Sequence, residues 1–270
     1  MIELRSLSLT YPGASGPALD DVSLSIAKGE LVALVGASGS GKTSLLKTIN
    51  RLHDPDSGDV SISNENVRNR DVVSLRRSIG YVFQGIGLFP HMTCAENIAI
   101  TLRLQGSASA QMHQRVSELL DMVELPADFA DRYPAQLSGG QRQRIGIARA
   151  LAASPPVLLM DEPFGALDPL TRDNLGQACR QLHDRLGLTT LMVTHDIQEA
   201  LVLANRIVVM EGGRVVTDAT PTQILQSETS GSALTQMFWR QWQRMGELAA
   251  QGRAAKTQSD VSNIRVAGDE

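Results

Sequence analysis

The chain has 270 residues, 42% of them hydrophobic and 20% charged, which is a globular composition and excludes a wholly disordered protein. The formal net charge of −4 argues against a dedicated nucleic-acid binder, because such proteins present a basic surface. The two cysteines, Cys94 and Cys179, are widely separated and indicate neither a disulfide framework nor a zinc site. The sequence shows no signal-peptide pattern and no run of about 18 apolar residues, so we expect membrane association only through a partner.

The first segment predicts an antiparallel β-subdomain. Apolar and polar residues alternate along 2–9 and again along 22–26, a pattern that is typical of strands with one buried face. Pro12-Gly13 and Gly16-Pro17 lie between these segments and mark turns.

Beyond residue 30 the pattern changes to short, continuous apolar runs separated by helical stretches. Such runs are typical of strands that are buried on both faces of a parallel sheet. The helical stretch Ser44–Leu52 follows the first of them. Because strands and helices alternate, we predict an α/β fold with a parallel or mixed core sheet. The apolar runs are Leu31–Val35, Val157–Met160, Leu191–Val193 and Ile207–Met210.

Two further regions have helical patterns. The region between about Ala95 and Ala150 is polar, with apolar positions at helical spacing, and we interpret it as a helical subdomain. Residues 228–270 contain an apolar stripe that suits an amphipathic helix, packed on the chain's own core or serving as a docking face, and a flexible tail after Gly252. We therefore expect a main domain over 1–227 and a short helical extension over 228–270. The stripe consists of Leu234, Phe238, Trp242, Met245 and Ala249.

The strongest chemical signal is a P-loop. Its glycines allow backbone N–H groups to surround phosphate oxygens, and the following helix contributes the positive end of its dipole. We expect Lys42 to reach the β- and γ-phosphates and Thr43 to offer a hydroxyl to Mg²⁺. A chance glycine-rich turn is disfavoured because a strand precedes the motif and a helix follows it. The motif G-x-x-x-x-G-K-[ST] is formed by Gly36, Ala37, Ser38, Gly39, Ser40, Gly41, Lys42 and Thr43.

The apolar strand at 157–160 ends in two carboxylates, Asp161 and Glu162. Open α/β sheets bind ligands at the carboxyl ends of their strands, so both acids are placed for chemistry. We expect Asp161 to hold Mg²⁺ and Glu162 to polarise an attacking water as a general base. The plainer alternative, two surface acids before a turn at Pro163, is disfavoured by the presence of a P-loop.

A second glycine-rich segment, Leu137–Gln141, precedes another helical stretch. Ser138 can cap that helix, and the glycines would let a phosphate approach its free N–H groups. Standing alone, the pentapeptide favours the simpler interpretation of a capped helix start. A second phosphate-binding helix is unexpected in a chain that already has a P-loop.

The sequence LSGGQ, placed between the P-loop and the strand with two carboxylates, resembles the signature of ATP-binding cassette (ABC) ATPases. The other family motifs are present in order. Tyr11 resembles the A-loop aromatic residue that stacks on adenine, and Gln84 resembles the Q-loop glutamine near Mg²⁺ and the attacking water. Asp168 resembles the D-loop aspartate, and His195 resembles the H-loop switch that contacts the γ-phosphate. The resemblance covers roughly residues 1–226 and implies the cassette fold.

The resemblance also implies ATP and Mg²⁺ as cofactors and a head-to-tail pair of cassettes, formed by two copies of this chain or with a paralogous cassette. Each ATP would lie between the P-loop of one chain and the signature of the other. Catalysis would use Lys42, Gln84, Glu162 and His195, with Thr43, Gln84 and Asp161 as Mg²⁺ ligands and Asp168 coupling the two sites. Nucleotide would contact Tyr11, Gly36, Ala37, Ser38, Gly39, Ser40, Gly41, Lys42, Thr43 and Ser44, and, across the dimer, Ser138, Gly139, Gly140 and Gln141.

Further sequence segments resemble those of cassettes that drive uptake across a membrane. Residues 85–93 resemble importer cassettes, in which this segment helps to form a groove for a cytoplasmic helix of the permease. Residues 47–52, 75–82 and 161–172 resemble osmoprotectant cassettes, which take up glycine betaine, choline or carnitine. We therefore predict the ATP-hydrolysing subunit of such an importer. Permease subunits would hold it at the cytoplasmic face of the membrane, and a substrate-binding protein would be an indirect partner.

Other functions stay open at this point. The solute could be another small molecule, such as an amino acid or a sulfonate, and the cassette could serve an exporter. A soluble ABC ATPase acting on DNA or ribosomes is less favoured, because coiled-coil arms and a second cassette are not visible and the acidic charge opposes a nucleic-acid partner. Residues 228–270 are too short for the regulatory domain of about 50 residues or more that many osmoprotectant cassettes carry.

Overall fold

A computed structural model of the chain describes residues 1–226. The chain divides into two compact units, Met1–Pro221 and Thr222–Glu270, and nearly all of the described residues belong to the first. The extension predicted over 228–270, with its apolar stripe, lies outside the described residues. In chain order, the strands within 1–226 are β1 (Ile2–Leu9), β2 (Leu19–Ile26), β3 (Leu31–Val35), β4 (Ser57–Ile62), β5 (Glu65–Asn66), β6 (Ile79–Val82), β7 (Val157–Asp161), β8 (Thr189–Val193), β9 (Arg206–Glu211) and β10 (Arg214–Ala219).

The helices of the described part lie between and after these strands, and none of them is both long and apolar enough to cross a bilayer. Short 3₁₀ helices occupy Val67–Asn69, Ala127–Asp131 and Pro134–Gln136. The α-helices are α1 (Lys42–Ile49), α2 (Val72–Arg77), α3 (Cys94–Leu104), α4 (Ser109–Met122), α5 (Gly139–Leu151), α6 (Pro169–Leu186), α7 (Ile197–Leu203) and α8 (Pro221–Gln226).

The first sheet is antiparallel, in the order β2-β1-β4-β5, which confirms the predicted N-terminal β-subdomain. Ile2 of the central strand β1 lies opposite Ile26 on one side and Ile62 on the other. These residues are buried with their alternate neighbours, as a period of two requires of a sheet with one covered face. The sequence patterns did not indicate β4 and β5, which complete the sheet.

The second sheet has the order β10-β9-β3-β8-β7-β6, and all of its neighbouring strands are parallel except β10 and β9. Every residue of β3, β7 and β8 is buried, which agrees with the continuous apolar runs. Three of the runs extend one or two residues further than predicted. Because carboxyl ends of parallel strands meet at one edge, the segments after β3, β6, β7 and β8 are gathered there.

One helix prediction was too long. The stretch expected over Ser44–Leu52 is α1, which begins at Lys42 and ends at Ile49. Arg51 has a φ of 54°, in the left-handed region, so the chain leaves the helical path. Leu52, which continued the apolar period of the sequence, is consequently 42% exposed. The predicted helical region between about Ala95 and Ala150 contains α3, α4 and most of α5.

Candidate active site

The P-loop connects β3 to α1 and is shaped by glycines that no other residue could replace without a backbone shift. A Cβ atom on Gly36 would lie 2.2 Å from the carbonyl oxygen of Met210, and one on Gly41 would lie 2.3 Å from that of Ala18. Gly41 also has a φ of 99°, and it precedes α1 without any side-chain cap. The first N–H groups of α1 are therefore free of side-chain partners, the arrangement that a phosphate needs.

Lys42 lies folded back into its own loop. Its Nζ donates to the carbonyl oxygens of Gly36 and Ala37, both at 2.8 Å, and to Oγ of Ser40 at 3.3 Å. Burial lowers the pKa of Lys42, and the carboxylates of Glu162 and Asp161 at the end of β7 oppose this shift. The loop thus positions a cation whose present partners are neutral carbonyl and hydroxyl oxygens, which phosphate oxygens can outcompete.

The proposed Mg²⁺ ligands are only partly brought together. Thr43 donates from Oγ1 to Oδ1 of Asp161 at 3.0 Å, and Tyr81 donates from its hydroxyl to Oδ2 of Asp161 at 3.4 Å. Burial raises the pKa of Asp161, and the Thr43 hydrogen bond opposes the shift. Gln84 instead donates to Glu162. Within 1–226 no cluster of three or more metal-binding side chains occurs, but Mg²⁺ needs only one or two carboxylates besides water and phosphate, so Thr43 and Asp161 fit it.

Three strand ends converge on one oxygen atom, Oε2 of Glu162. Gln84, after β6, donates to it from Nε2 at 3.2 Å, and Nδ1 of His195, after β8, lies 3.3 Å away. The backbone N–H of Glu162 donates to the carbonyl of Val193 at 2.9 Å, which ties the residue to β8. A carboxylate flanked by an amide and an imidazole can align a water and accept its proton.

Tyr11 lies next to the first turn of α1. Its hydroxyl donates to Oγ of Ser44 at 3.1 Å, and its ring centroid is 5.2 Å from that of His53 in a nearly perpendicular arrangement. The structure therefore places the predicted adenine-stacking residue at the P-loop helix. His53 belongs to the same aromatic pair and was not indicated by any motif.

The signature residues Ser138 and Gln141 hydrogen-bond to each other at the start of α5. Ser138 accepts from the backbone N–H of Gln141 at 3.3 Å, and Oε1 of Gln141 accepts from the N–H of Ser138 at 2.9 Å. A Cβ atom on Gly140 would lie 2.7 Å from Cγ2 of Thr171 in α6. None of the hydrogen bonds or ion pairs within the described residues joins 138–141 to the P-loop.

The predicted D-loop residue Asp168 is the N-cap of α6. Its Oδ1 accepts from the backbone N–H of Thr171 at 3.0 Å and so caps α6. A hydrogen bond with the side chain of Thr171, followed by this one with its backbone, lowers the pKa of Asp168. The D-loop thus directly adjoins the signature through Thr171 and Gly140.

Comparison with known sequences settles the family. A sequence model of the family described as ABC transporter matches residues 19–165, more than half of the chain. The chain belongs to the ABC transporter family. It is 48% identical over 227 residues to the glycine betaine/carnitine/choline transport ATP-binding protein OpuCA of Bacillus subtilis strain 168, a match that covers 84% of this chain and 60% of OpuCA. It is also 51% identical over 233 residues to the sulfate/thiosulfate import ATP-binding protein CysA 1 of Agrobacterium fabrum strain C58, covering 85% of this chain and 66% of that relative.

A solved structure supports the cassette fold. The ATP-binding cassette MJ0796, in a dimeric post-hydrolysis state bound to ADP and Pi, matches with a TM-score of 0.75 and 37% identity over 82% of this chain and 99% of its own. The ABC family resemblance and the α/β cassette fold expected from the sequence are therefore confirmed. The chain spans less than two thirds of the length of OpuCA.

One further contact in this ABC cassette ties the signature helix to the segment after Gln84. Arg149, near the end of α5, is buried and donates to the carbonyl oxygens of Ile86 and Gly87, each at 2.7 Å. Burial lowers the pKa of Arg149. In the sequence, Arg149 stands among small apolar residues of the helix. Such a position indicates that the arginine is buried and paired.

Proposed function

We propose that the chain hydrolyses ATP, and the convergence of Gln84 and His195 on Glu162 beside the P-loop carries this proposal. Lys42 and the free N–H groups of α1 bind and orient the β- and γ-phosphates. Glu162 accepts the proton of the attacking water, while Gln84 and His195 hold the water and the γ-phosphate in line. Such catalysis depends on positioning and charge stabilisation, which preorganised groups at strand ends supply.

Thr43 and Asp161 are the residues that would hold Mg²⁺. The ion supplies charge neutralisation between the phosphate oxygens. Gln84 contacts Glu162 in this structure, so its role as a third ligand rests on the family resemblance alone.

The head-to-tail pair with a second cassette is also a proposal. Its support is the local closure of the signature: Ser138 and Gln141 hydrogen-bond to each other, and within residues 1–226 no hydrogen bond or ion pair joins 138–141 to the P-loop. A second copy can bring its nucleotide to that helix start, with Asp168 and Thr171 next to it. The solved MJ0796 cassette is dimeric.

We further propose that this cassette drives an importer from the cytoplasmic face of a membrane. A groove of about 440 Å³ lies beside β6 and α3, and it is lined partly by exposed apolar residues, among them Phe83, Phe89 and Leu104. Single exposed apolar residues are common, but four of them around one groove, Leu52 included, suit a partner helix. The groove adjoins the segment after Gln84. A permease helix bound there could shift Gln84 and thereby its hydrogen bond to Glu162.

Glycine betaine, choline or carnitine is the substrate class that we propose. The resemblance of residues 47–52, 75–82 and 161–172 to osmoprotectant cassettes supports it, together with the similarity to OpuCA. The similarity to CysA 1 shows that related cassettes serve sulfate and thiosulfate, so uptake of another small solute is the second candidate. The cassette itself would not touch the solute, and we assign it no nucleic-acid partner.

The decisive test of the ATPase is the Glu162→Gln variant of the full chain. We expect Mg²⁺-dependent ATP hydrolysis by the wild type, and hydrolysis slower by about 10²–10⁴ in the variant with ATP binding retained. Glu118→Gln, on the surface of α4, is the matched control and should hydrolyse normally. Near-normal turnover in Glu162→Gln would contradict the assigned role.

The partner proposal has its own experiment. Tagged Glu162→Gln protein, held with ATP in its native membranes, is captured gently and its partners are identified by mass spectrometry. A multi-span permease accompanied by a quaternary-amine binding protein supports the importer and its substrate class. A permease with a sulfate-binding protein would replace the substrate class, and ribosomal or DNA-repair partners would overturn the importer.

A further inference from the structure

We propose that Arg172, in the first turn of α6, is a positioning residue that holds His195 toward Glu162. This inference rests on the proposed ATPase function. It assigns a task to an arginine outside the catalytic motifs. The backbone N–H of Arg172 donates to the carbonyl oxygen of Asp168 at 2.9 Å within α6, but its side chain bonds to none of the predicted site residues.

The side chain of His195 receives little support of its own. It is 60% exposed, and among the described residues only Glu162 lies within hydrogen-bond or salt-bridge distance of its ring. A side chain with so few contacts is directed mainly by its backbone. The position of His195 therefore depends on what fixes the residues on either side of it, Thr194 and Asp196.

Arg172 fixes the residue after the histidine. Its Nη1 donates to Oδ2 of Asp196 at 2.7 Å. The other oxygen of Asp196 accepts from the backbone N–H groups of Gln198 and Glu199, at 2.8 and 3.3 Å, and so caps α7. One carboxylate thus joins α6 to the start of α7, and it can do so only while the backbone beside His195 holds its place.

The residue before the histidine belongs to the same network. Oγ1 of Thr194 donates to Oε2 of Glu199 at 2.5 Å and accepts from the backbone N–H of Asp196 at 2.9 Å. Glu199 is only 8% exposed, and its Oε1 lies 3.7 Å from Nε of Arg172. Because Asp196 and Glu199 are both acidic, the guanidinium between them offsets a repulsion that would otherwise push the segment apart.

The same guanidinium also reaches the D-loop. Its Nη2 donates to the carbonyl oxygen of Leu167 at 3.1 Å, one residue before Asp168. Arg172 therefore connects the segment before Asp168 with the segment after His195. Only the planar, branched head of arginine can make both contacts together with the approach to Glu199, so lysine would be a partial substitute.

Steady-state ATP hydrolysis by the full chain tests the inference. We expect Arg172→Gln to lower kcat about tenfold or more while KM stays within about twofold, because a small displacement of an aligned group affects the reaction more than binding. Arg172→Lys should recover part of the loss. Asp196→Asn keeps an oxygen to cap α7 and removes the ion pair, so it should act in the same direction even if Arg172→Gln folds poorly.

A double variant separates positioning from general damage. If Arg172 acts through His195, then adding Arg172→Gln to His195→Ala should lower kcat no further, since residues that act as a unit are not additive. The control is Arg180→Gln, also in α6, whose partners Asp184, Leu203 and Asn205 lie away from the site. It should leave kcat unchanged.

The outcomes distinguish the two proposals. A wild-type chain without Mg²⁺-dependent hydrolysis overturns the ATPase itself. An active wild type with a kcat of Arg172→Gln within twofold of normal overturns only the positioning role. An equal loss of kcat in the presence and absence of His195 does the same, because it would show that Arg172 acts by another route.

Discussion

Two helix starts in this cassette look alike in sequence and differ in structure. The helix α1 follows a glycine-rich loop and α5 begins with Gly139 and Gly140, so each start offers backbone N–H groups to a phosphate. The start of α1, after Gly41, has no side-chain cap, and Lys42 lies across the loop before it. The start of α5 is closed by the reciprocal hydrogen bonds of Ser138 and Gln141.

The difference supports our proposal that a single chain completes its P-loop site, whereas its signature serves a second chain. The start of α1 has no side-chain cap and the P-loop already carries its cation, so this site is prepared for a phosphate without help. The signature satisfies two of its N–H groups, those of Ser138 and Gln141, which lowers the cost of an uncapped helix start. Ser138 uses its oxygen as an acceptor there, which leaves the hydroxyl hydrogen available to a phosphate oxygen brought by another chain.

Lys42→Ala should have the largest effect of the changes that test the difference between the two helix starts. The variant loses a charge-assisted contact worth about 1.5–3 kcal/mol, so ATP affinity of the single chain should fall roughly tenfold to a hundredfold. Ser138→Ala should leave that affinity within about twofold if, as we propose, the signature serves the nucleotide of a second chain. Titration of a fluorescent ATP analogue at a protein concentration that prevents pairing measures both.

An equal loss of affinity in Lys42→Ala and Ser138→Ala would remove the distinction between the two helix starts. Unchanged affinity in Lys42→Ala alone would contradict the P-loop assignment.

Much of the fold was predictable because burial on both strand faces leaves a clear trace in sequence. The runs at 31–35 and 157–160 became β3 and β7, and the P-loop stands between a strand and a helix as its motif requires. The end of α1 was not predictable in this way, because Leu52 keeps the apolar period although the helix has ended. A local φ of Arg51 decided the boundary, and hydrophobic periodicity carries no information about it.

The site was predictable residue by residue only through motifs. That Gln84 and His195 would meet at Glu162 follows from the strand order β8-β7-β6, which periodicity does not reveal. Arg172 could not be anticipated, since it is 24 positions from Asp196 and an arginine in a helix ordinarily signals a solvated face.

Gly140→Ala tests the signature helix start and should have an intermediate effect on ATP hydrolysis. The added Cβ would lie 2.7 Å from Cγ2 of Thr171, so α5 and α6 must separate slightly. We expect hydrolysis to fall about tenfold, because a shift on the order of one ångström in an aligned group has effects of at least this size. ATP affinity of the single chain should not change.

The matched rescue is Thr171→Ser, which removes the methyl group that the new Cβ would strike and keeps the N–H that Asp168 caps. The double variant should regain most of the activity. A loss that persists in the double variant would show that Gly140 is needed for some reason other than its contact with α6.

Ser138→Ala gives the smallest effect and tests the closed state of the signature directly. Removing an N-cap hydroxyl usually costs about 1 kcal/mol, so the free energy of unfolding should fall by that amount in the absence of nucleotide. Chemical denaturation measures it, and Ser138→Asp is the matched control, because a carboxylate can accept from the N–H of Gln141 and restore the cap. That control should recover stability but not hydrolysis, since a negative charge at this helix start repels phosphate. If Ser138→Asp hydrolysed ATP normally, capping would be the only task of Ser138, and the signature would be a structural helix start with no part in binding a partner's nucleotide.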